Sequence, residues 1–178
     1  MSPQRIFLTG EPGCGKTTAV KNICQSLLKI GKKTGGIISS EIREEGRRVG
    51  FELEDLLTHQ RGILAQIGQA SGPRIGRYIV NLHDIEFVGA AAIKRATTEA
   101  DVVIVDEIGP MELHSNPFIL AVEEALGSPK PLVATIHKRA SHALVARIKS
   151  NPAHKIIEVT VENRQEIPSL TIEELSKN

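Results

Sequence analysis

Short apolar runs alternate with longer stretches in which apolar residues recur every three or four positions. Residues 5–9 (Arg-Ile-Phe-Leu-Thr) read as a short buried strand that runs into a glycine-rich segment. Residues 16–30 carry Ala19, Val20, Ile23, Leu27 and Leu28 at helical spacing, and Gly31 stops that helix. Residues 33–40 predict a second strand. The spacing of Ile85, Val88, Ala92, Ile93 and Ala96 predicts a helix over 84–100, and Val102–Val105 predicts a buried strand. A helix over 115–127 begins at Ser115 with Pro117 in its first turn. Strand 131–136, helix 139–149, strand 155–160 and a helix over about 171–177 complete the chain.

This alternation implies an α/β fold with a mainly parallel sheet covered by helices on both faces. Residues 41–82 break the pattern. Gly, Arg and Glu are frequent there, strand-like runs recur at 48–53 and 76–82, and Glu45-Gly46 fits a hairpin turn. The expectation is one domain over 1–178 with a β-rich antiparallel insertion at about 41–82. A chain of 178 residues buries enough surface to hold a core without disulfides.

The most specific pattern is Gly10-Glu11-Pro12-Gly13-Cys14-Gly15-Lys16-Thr17, a phosphate loop. Its context, strand before and amphipathic helix after, matches the mechanism. The glycines let successive N–H groups converge on an anion, and the helix N-terminus adds its positive dipole end. Lys16 can reach the β- and γ-phosphates, and the Thr17 hydroxyl can ligate Mg²⁺. Thr18 completes the segment. Cys14 reads as a small filler, although its surroundings also suit a thiol of lowered pKa.

Val103-Ile104-Val105 leads into Asp106-Glu107 and then Ile108-Gly109-Pro110. Acids at the carboxyl end of a buried strand stand at the edge where α/β sheets bind ligands. Asp106 is placed to hold Mg²⁺ and Glu107 to act as a general base on water. Taken alone, such a run also reads as a plain strand end. Arg43, Arg47, Arg48, Arg61, Arg74 and Arg77 crowd the insertion, where any one can serve as an arginine finger or belong to a solvated basic face. Thr135 and His137, at the end of strand 131–136, can sense a γ-phosphate, or read as a helix cap and an exposed histidine. Asn163 and Arg164 follow the last strand and offer contacts to a base, or a turn and a surface charge.

Net charge is +1, and aromatic residues make up 3% with no Trp, which disfavours a nucleic-acid partner. No apolar run approaches the ~18 residues of a membrane span. Two cysteines, one of them inside the phosphate loop, fit a reducing, cytoplasmic setting. The sequence carries no oligomer signal.

With these residues assembled, the chain resembles the THEP-type nucleoside triphosphatases. The carriers are the phosphate loop, Glu41-Ile42-Arg43, Gly46-Arg47-Arg48-Val49-Gly50-Phe51, Asp106-Glu107-Ile108-Gly109 with Met111-Glu112-Leu113, Ala134-Thr135-Ile136, and Glu162-Asn163-Arg164. The resemblance implies Mg²⁺-dependent hydrolysis of ATP, GTP and other triphosphates to diphosphate and phosphate. It also implies a RecA-like sheet with strand 131–136 between the phosphate-loop strand and the Asp106-Glu107 strand. A kinase whose acceptor sits in the insertion, and an ATPase module stimulated by a partner, are the competing readings.

Overall fold

In the computed structural model, residues 3–177 are described. Nine strands among them form one sheet in the order β5-β6-β4-β3-β2-β7-β8-β1-β9. The parallel half comprises β1 (Arg5–Thr9), β2 (Thr34–Glu44), β7 (Val102–Ile108), β8 (Leu132–Ile136) and β9 (Lys155–Glu158). Strand β8 lies between β1 and β7, as the resemblance implies.

Period-two alternation sorts the buried side chains into two layers. Phe7, Val103, Val105, Leu132 and Ala134 face one core, and Ile6, Leu8, Val102, Ile104 and Val133 face the other. Helix α1 (Lys16–Lys29) covers the second face through Ala19, Val20, Ile23 and Leu27, with α6 (Ile167–Leu175) beside it. On the first face, a short α2 (Leu82–Asp84) runs through a π-helical stretch at Ile85–Ala90 into α3 (Ala91–Glu99). Helices α4 (Asn116–Gly127) and α5 (Ala143–Ser150) complete that layer. The Ser115 hydroxyl accepts the Phe118 N–H and caps α4, as the sequence predicts.

The insertion continues the same sheet. Strand β2 extends four residues beyond the predicted end at 40, and the turn at Glu45-Gly46 folds it onto β3 (Arg47–Asp55). Strands β4 (Arg61–Gln66), β6 (Tyr78–Val80) and β5 (Arg74–Ile75) follow, all antiparallel. The parallel half is therefore extended sideways by an antiparallel wing.

Three predicted boundaries need correction. Helix α5 begins at Ala143, not 139, because the His142 ring nitrogen accepts the Leu144 N–H and caps it there. Strand β9 stops at Glu158, since the Thr160 N–H donates to the Asn163 side chain at 2.8 Å and turns the chain. Helix α6 begins at Ile167, with Pro168 in its first turn, four residues ahead of the predicted start.

One glycine sets how closely the wing's root approaches the parallel strands. Gly36 has φ +108°, and a Cβ there would lie 2.0 Å from the Ile104 carbonyl oxygen. Strain and overpacking together predict that Gly36→Ala costs at least about 2 kcal/mol. A lowered urea midpoint checks this, and an unchanged midpoint contradicts the close approach of β2 to β7.

Candidate active site

The parallel strands deliver their carboxyl ends to one edge. There the chain leaves β1 through Gly10, Gly13 and Gly15, all at positive φ, and enters α1 at Lys16. A side chain at Gly10 would strike the Val159 carbonyl at 2.4 Å and Cys14 Sγ at 2.8 Å. Cys14 is buried in the α1-side core, consistent with its reading as a filler. Lys16 Nζ donates to the carbonyls of Gly10 (3.0 Å) and Glu11 (3.3 Å) and lies 3.9 Å from Glu107 Oε2. The Glu11 carboxylate pairs with Lys138 (3.1 Å), which also holds Glu158 (2.9 Å). The outer side of the loop is thereby tied to the segment after β8 and to the end of β9.

Asp106 is 1% exposed. It accepts hydrogen bonds from the Thr135 hydroxyl at 2.6 Å and from the Ser39 hydroxyl at 3.4 Å, and Thr17 is a further partner. Burial pushes its pKa up, and those three hydroxyl side chains pull it back towards the carboxylate. Hard oxygen donors gathered around one buried carboxylate suit Mg²⁺, which takes one or two protein oxygens and keeps several waters. Thr17 and Asp106 are the pair that would hold it. Thr135 is fully buried and bonded to Asp106, so it acts on the carboxylate.

Glu107 is a quarter exposed and faces the cleft. Burial raises its pKa to about 7, with Lys16 opposing and Asp106 reinforcing the rise. Glu112 stands beside it in a 3-10 turn at Glu112–His114. It is 4% exposed, and its pKa is raised well above the ordinary value by burial and then by Glu107. Gly109 lies between the two acids: a Cβ there would lie 2.8 Å from Glu107 Oε1 and 3.0 Å from Glu112 Oε2.

A cleft of about 840 Å³ joins these parts. Pro12, Gly13, Gly15, Lys16, Thr17, Thr18, Glu107 and Pro110 line it, from among the residues singled out by sequence. Val103, Ile104, Val105 and Ile108 do not: they are fully buried and position the acids from behind. Of the candidate arginines, Arg48 lines the cleft and Arg61, Arg74 and Arg77 do not; Arg43 is held by Glu41 and the Gly46 carbonyl at the hairpin, and Arg47 is exposed at the start of β3. Asn163 braces its own turn through Thr160 and Glu158. Arg164 packs over Gly15, where its Cδ would meet an added Cβ at 3.0 Å. His137, offered by the sequence with Thr135, lines the cleft, whereas Ser39 and Glu112 carried no role in the sequence pattern. For Glu112 a signal existed, an acid flanked by Met111 and Leu113 directly after the acidic strand end.

Comparison with known proteins agrees with this geometry. The model of the NTPase family matches residues 5–171. A nucleoside-triphosphatase THEP1 of Thermofilum pendens is 46% identical over 177 residues, covering 99% of this chain and 97% of the relative. One from Methanosarcina acetivorans is 46% identical over 165 residues, covering 92% of each. The crystal structure of THEP1 from Aquifex aeolicus superposes with a TM-score of 0.85 at 34% identity, covering 98% of this chain and 100% of that one. The solution structure of a human cancer-related nucleoside triphosphatase does so with 0.81 at 33%, covering 98% and 99%. A phosphate loop facing Asp106 and Glu107 across β8, on a sheet shared over full length with these proteins, places the chain in the NTPase family with the nucleoside-triphosphatases THEP1.

Proposed function

We propose that the chain hydrolyses nucleoside triphosphates, ATP and GTP among them, to diphosphate and phosphate with Mg²⁺. The observation that carries this is the placement of Glu107 Oε2 3.9 Å from Lys16 Nζ, in a cleft that the phosphate loop also lines. Thr17 and Asp106 would hold Mg²⁺, which would supply charge neutralisation at the phosphoryl oxygens when bound. Lys16 and the loop N–H groups bind the β- and γ-phosphates and stabilise the charge that spreads over the transferring group. Glu107 accepts a proton from water as its oxygen bonds to the γ-phosphorus. The bond from that phosphorus to the bridging oxygen breaks, leaving diphosphate. Thr135 and Ser39 fix the Asp106 carboxylate so that it need not reorganise. Arg48 lines the wing side of the cleft, where Tyr78 and Glu41 hold its guanidinium, and Arg164 is placed to approach the nucleoside side. The two thiols and the absence, among the described residues, of a helix long and apolar enough to cross a membrane are compatible with a cytoplasmic enzyme.

A kinase reading needs an acceptor in place of water, and the family relatives are named for the triphosphatase reaction.

Removing a general base costs about 10²–10⁴-fold in rate. Glu107→Gln is therefore expected to lower kcat for phosphate release from ATP and GTP by about that factor, with KM little changed. Retention of wild-type kcat would remove Glu107 from the mechanism. The base must be ionised to accept the proton, and kcat/KM reports groups of the free enzyme. With Glu107 at about 7, kcat/KM is expected to fall as pH drops below about 7 and to level off above it. In Glu107→Gln that limb disappears, and its persistence would assign the titration elsewhere.

A further inference from the structure

The cleft is longer than the phosphate chemistry requires. Its first part runs from the loop to Glu107. With Lys16 on the β- and γ-phosphates and Glu107 facing the γ end, the nucleoside lies behind the loop, on the side where Arg164 covers Gly15. Arg164 does not line the cleft. The remainder extends the other way, beyond Glu107, under the antiparallel wing.

That far half is built like a small-molecule pocket, mostly apolar with a few fixed polar groups. Its walls are Phe51, Leu64, Ile75, Tyr78 and Met111. Phe51 and Tyr78 meet edge to face, with centroids 5.2 Å apart and planes at 67°. Arg48 braces them, 5.0 Å from the Phe51 centroid, with its Nε donating to the Tyr78 hydroxyl at 3.0 Å and its NH1 to Glu41 at 2.8 Å. Arg77 donates to the same hydroxyl and to the Arg48 carbonyl. The aromatic wall is therefore held rigid without a ligand's help. The polar group is Glu112, buried to 4% exposure yet part of the lining. Burial favours its neutral form, and a neutral carboxyl offers one donor and one acceptor side by side. A flat heteroaromatic ring with a complementary edge, an N–H beside a C=O or a ring nitrogen beside an amino group, satisfies both.

We propose that the wing half of the cleft is a second ligand subsite for a nucleoside-sized heteroaromatic molecule. The ring packs against Phe51 and Tyr78 and turns its hydrogen-bonding edge to Glu112, while a triphosphate occupies the phosphate loop. The subsite rests on the proposed function in one respect, the direction in which the triphosphate lies. Its occupant stands between Glu107 and bulk water, so occupancy slows hydrolysis.

The test saturates the full chain with Mg²⁺ and a non-hydrolysable triphosphate. Adenosine, guanosine, cytidine and uridine are then titrated at up to millimolar concentration by calorimetry. At least one is expected to bind to the saturated protein. Base–aromatic stacking contributes about 1–3 kcal/mol, so Phe51→Ala is expected to weaken that binding about tenfold or more. Ile75→Trp, which fills the half-buried edge of the pocket, is expected to abolish it. Triphosphate-analogue affinity, measured without nucleoside, stays near wild type in both, which verifies the fold and tests the phosphate-loop reading separately. Absence of nucleoside binding to the saturated wild type overturns the proposal. So does displacement of the analogue by nucleoside, which would make the pocket the triphosphate's own base site. Wild-type nucleoside affinity in both variants overturns it as well.

Discussion

One electrostatic constraint organises this edge of the sheet: a lysine and three acids share a largely desolvated space. Lys16, Asp106 and Glu112 are each less than a tenth exposed, and Glu107 sits among them. Ionised carboxylates in such a place are costly unless hydrogen-bonded or paired. Asp106 is met by hydroxyls from three elements: Thr17 on α1, Ser39 on β2 and Thr135 on β8. Glu107 is met by Lys16, which otherwise spans its own loop. Those partners arrive together only because β8 separates β1 from β7 and β2 flanks β7 on the other side. The sheet order is thus the means by which the charge balance is achieved, and Gly36 lets β2 come close enough to contribute Ser39.

Much of this was legible from residue pattern, and the reasons differ by element. The phosphate loop combines steric demands at Gly10 and Gly15 with a lysine and a hydroxyl at fixed offsets, so few other structures satisfy it. The Val102–Val105 run is buried on both faces and reads as such. The wing was harder. Its strands β4, β5 and β6 are short and set among glycines and arginines, so local periodicity indicates only a β-rich region. Helix α6 was misplaced because its first turn is set by a turn at Asn163 and by Pro168, not by apolar spacing. Glu112 escaped because an acid in a short apolar stretch looks solvent-facing until the 3-10 turn folds it beneath Gly109.

The wing also changes what the fold can do. Five parallel strands with the loop and two acids would suffice to hold a triphosphate and metal. Extending the sheet through β3, β4 and β6 lays Phe51, Leu64 and Tyr78 along the same groove and brings Arg48 over the aromatic pair. The arginine-rich stretch that reads in sequence as a source of phosphate contacts is divided in the structure. Arg43 and Arg77 brace the wing, while Arg48 both braces it and reaches the cleft wall. Catalytic and wing halves meet at Glu107 and Glu112, so any occupant of the wing is coupled to the base through one shared boundary.

The central claim is that water, activated at Glu107, attacks the γ-phosphorus of a triphosphate held by Lys16. Turnover of ATP in ¹⁸O-labelled water, followed by mass spectrometry of both products under single-turnover conditions, tests it most directly. The account predicts one ¹⁸O atom in the released phosphate and none in the diphosphate. Label in the diphosphate, or phosphate released without label, would contradict it.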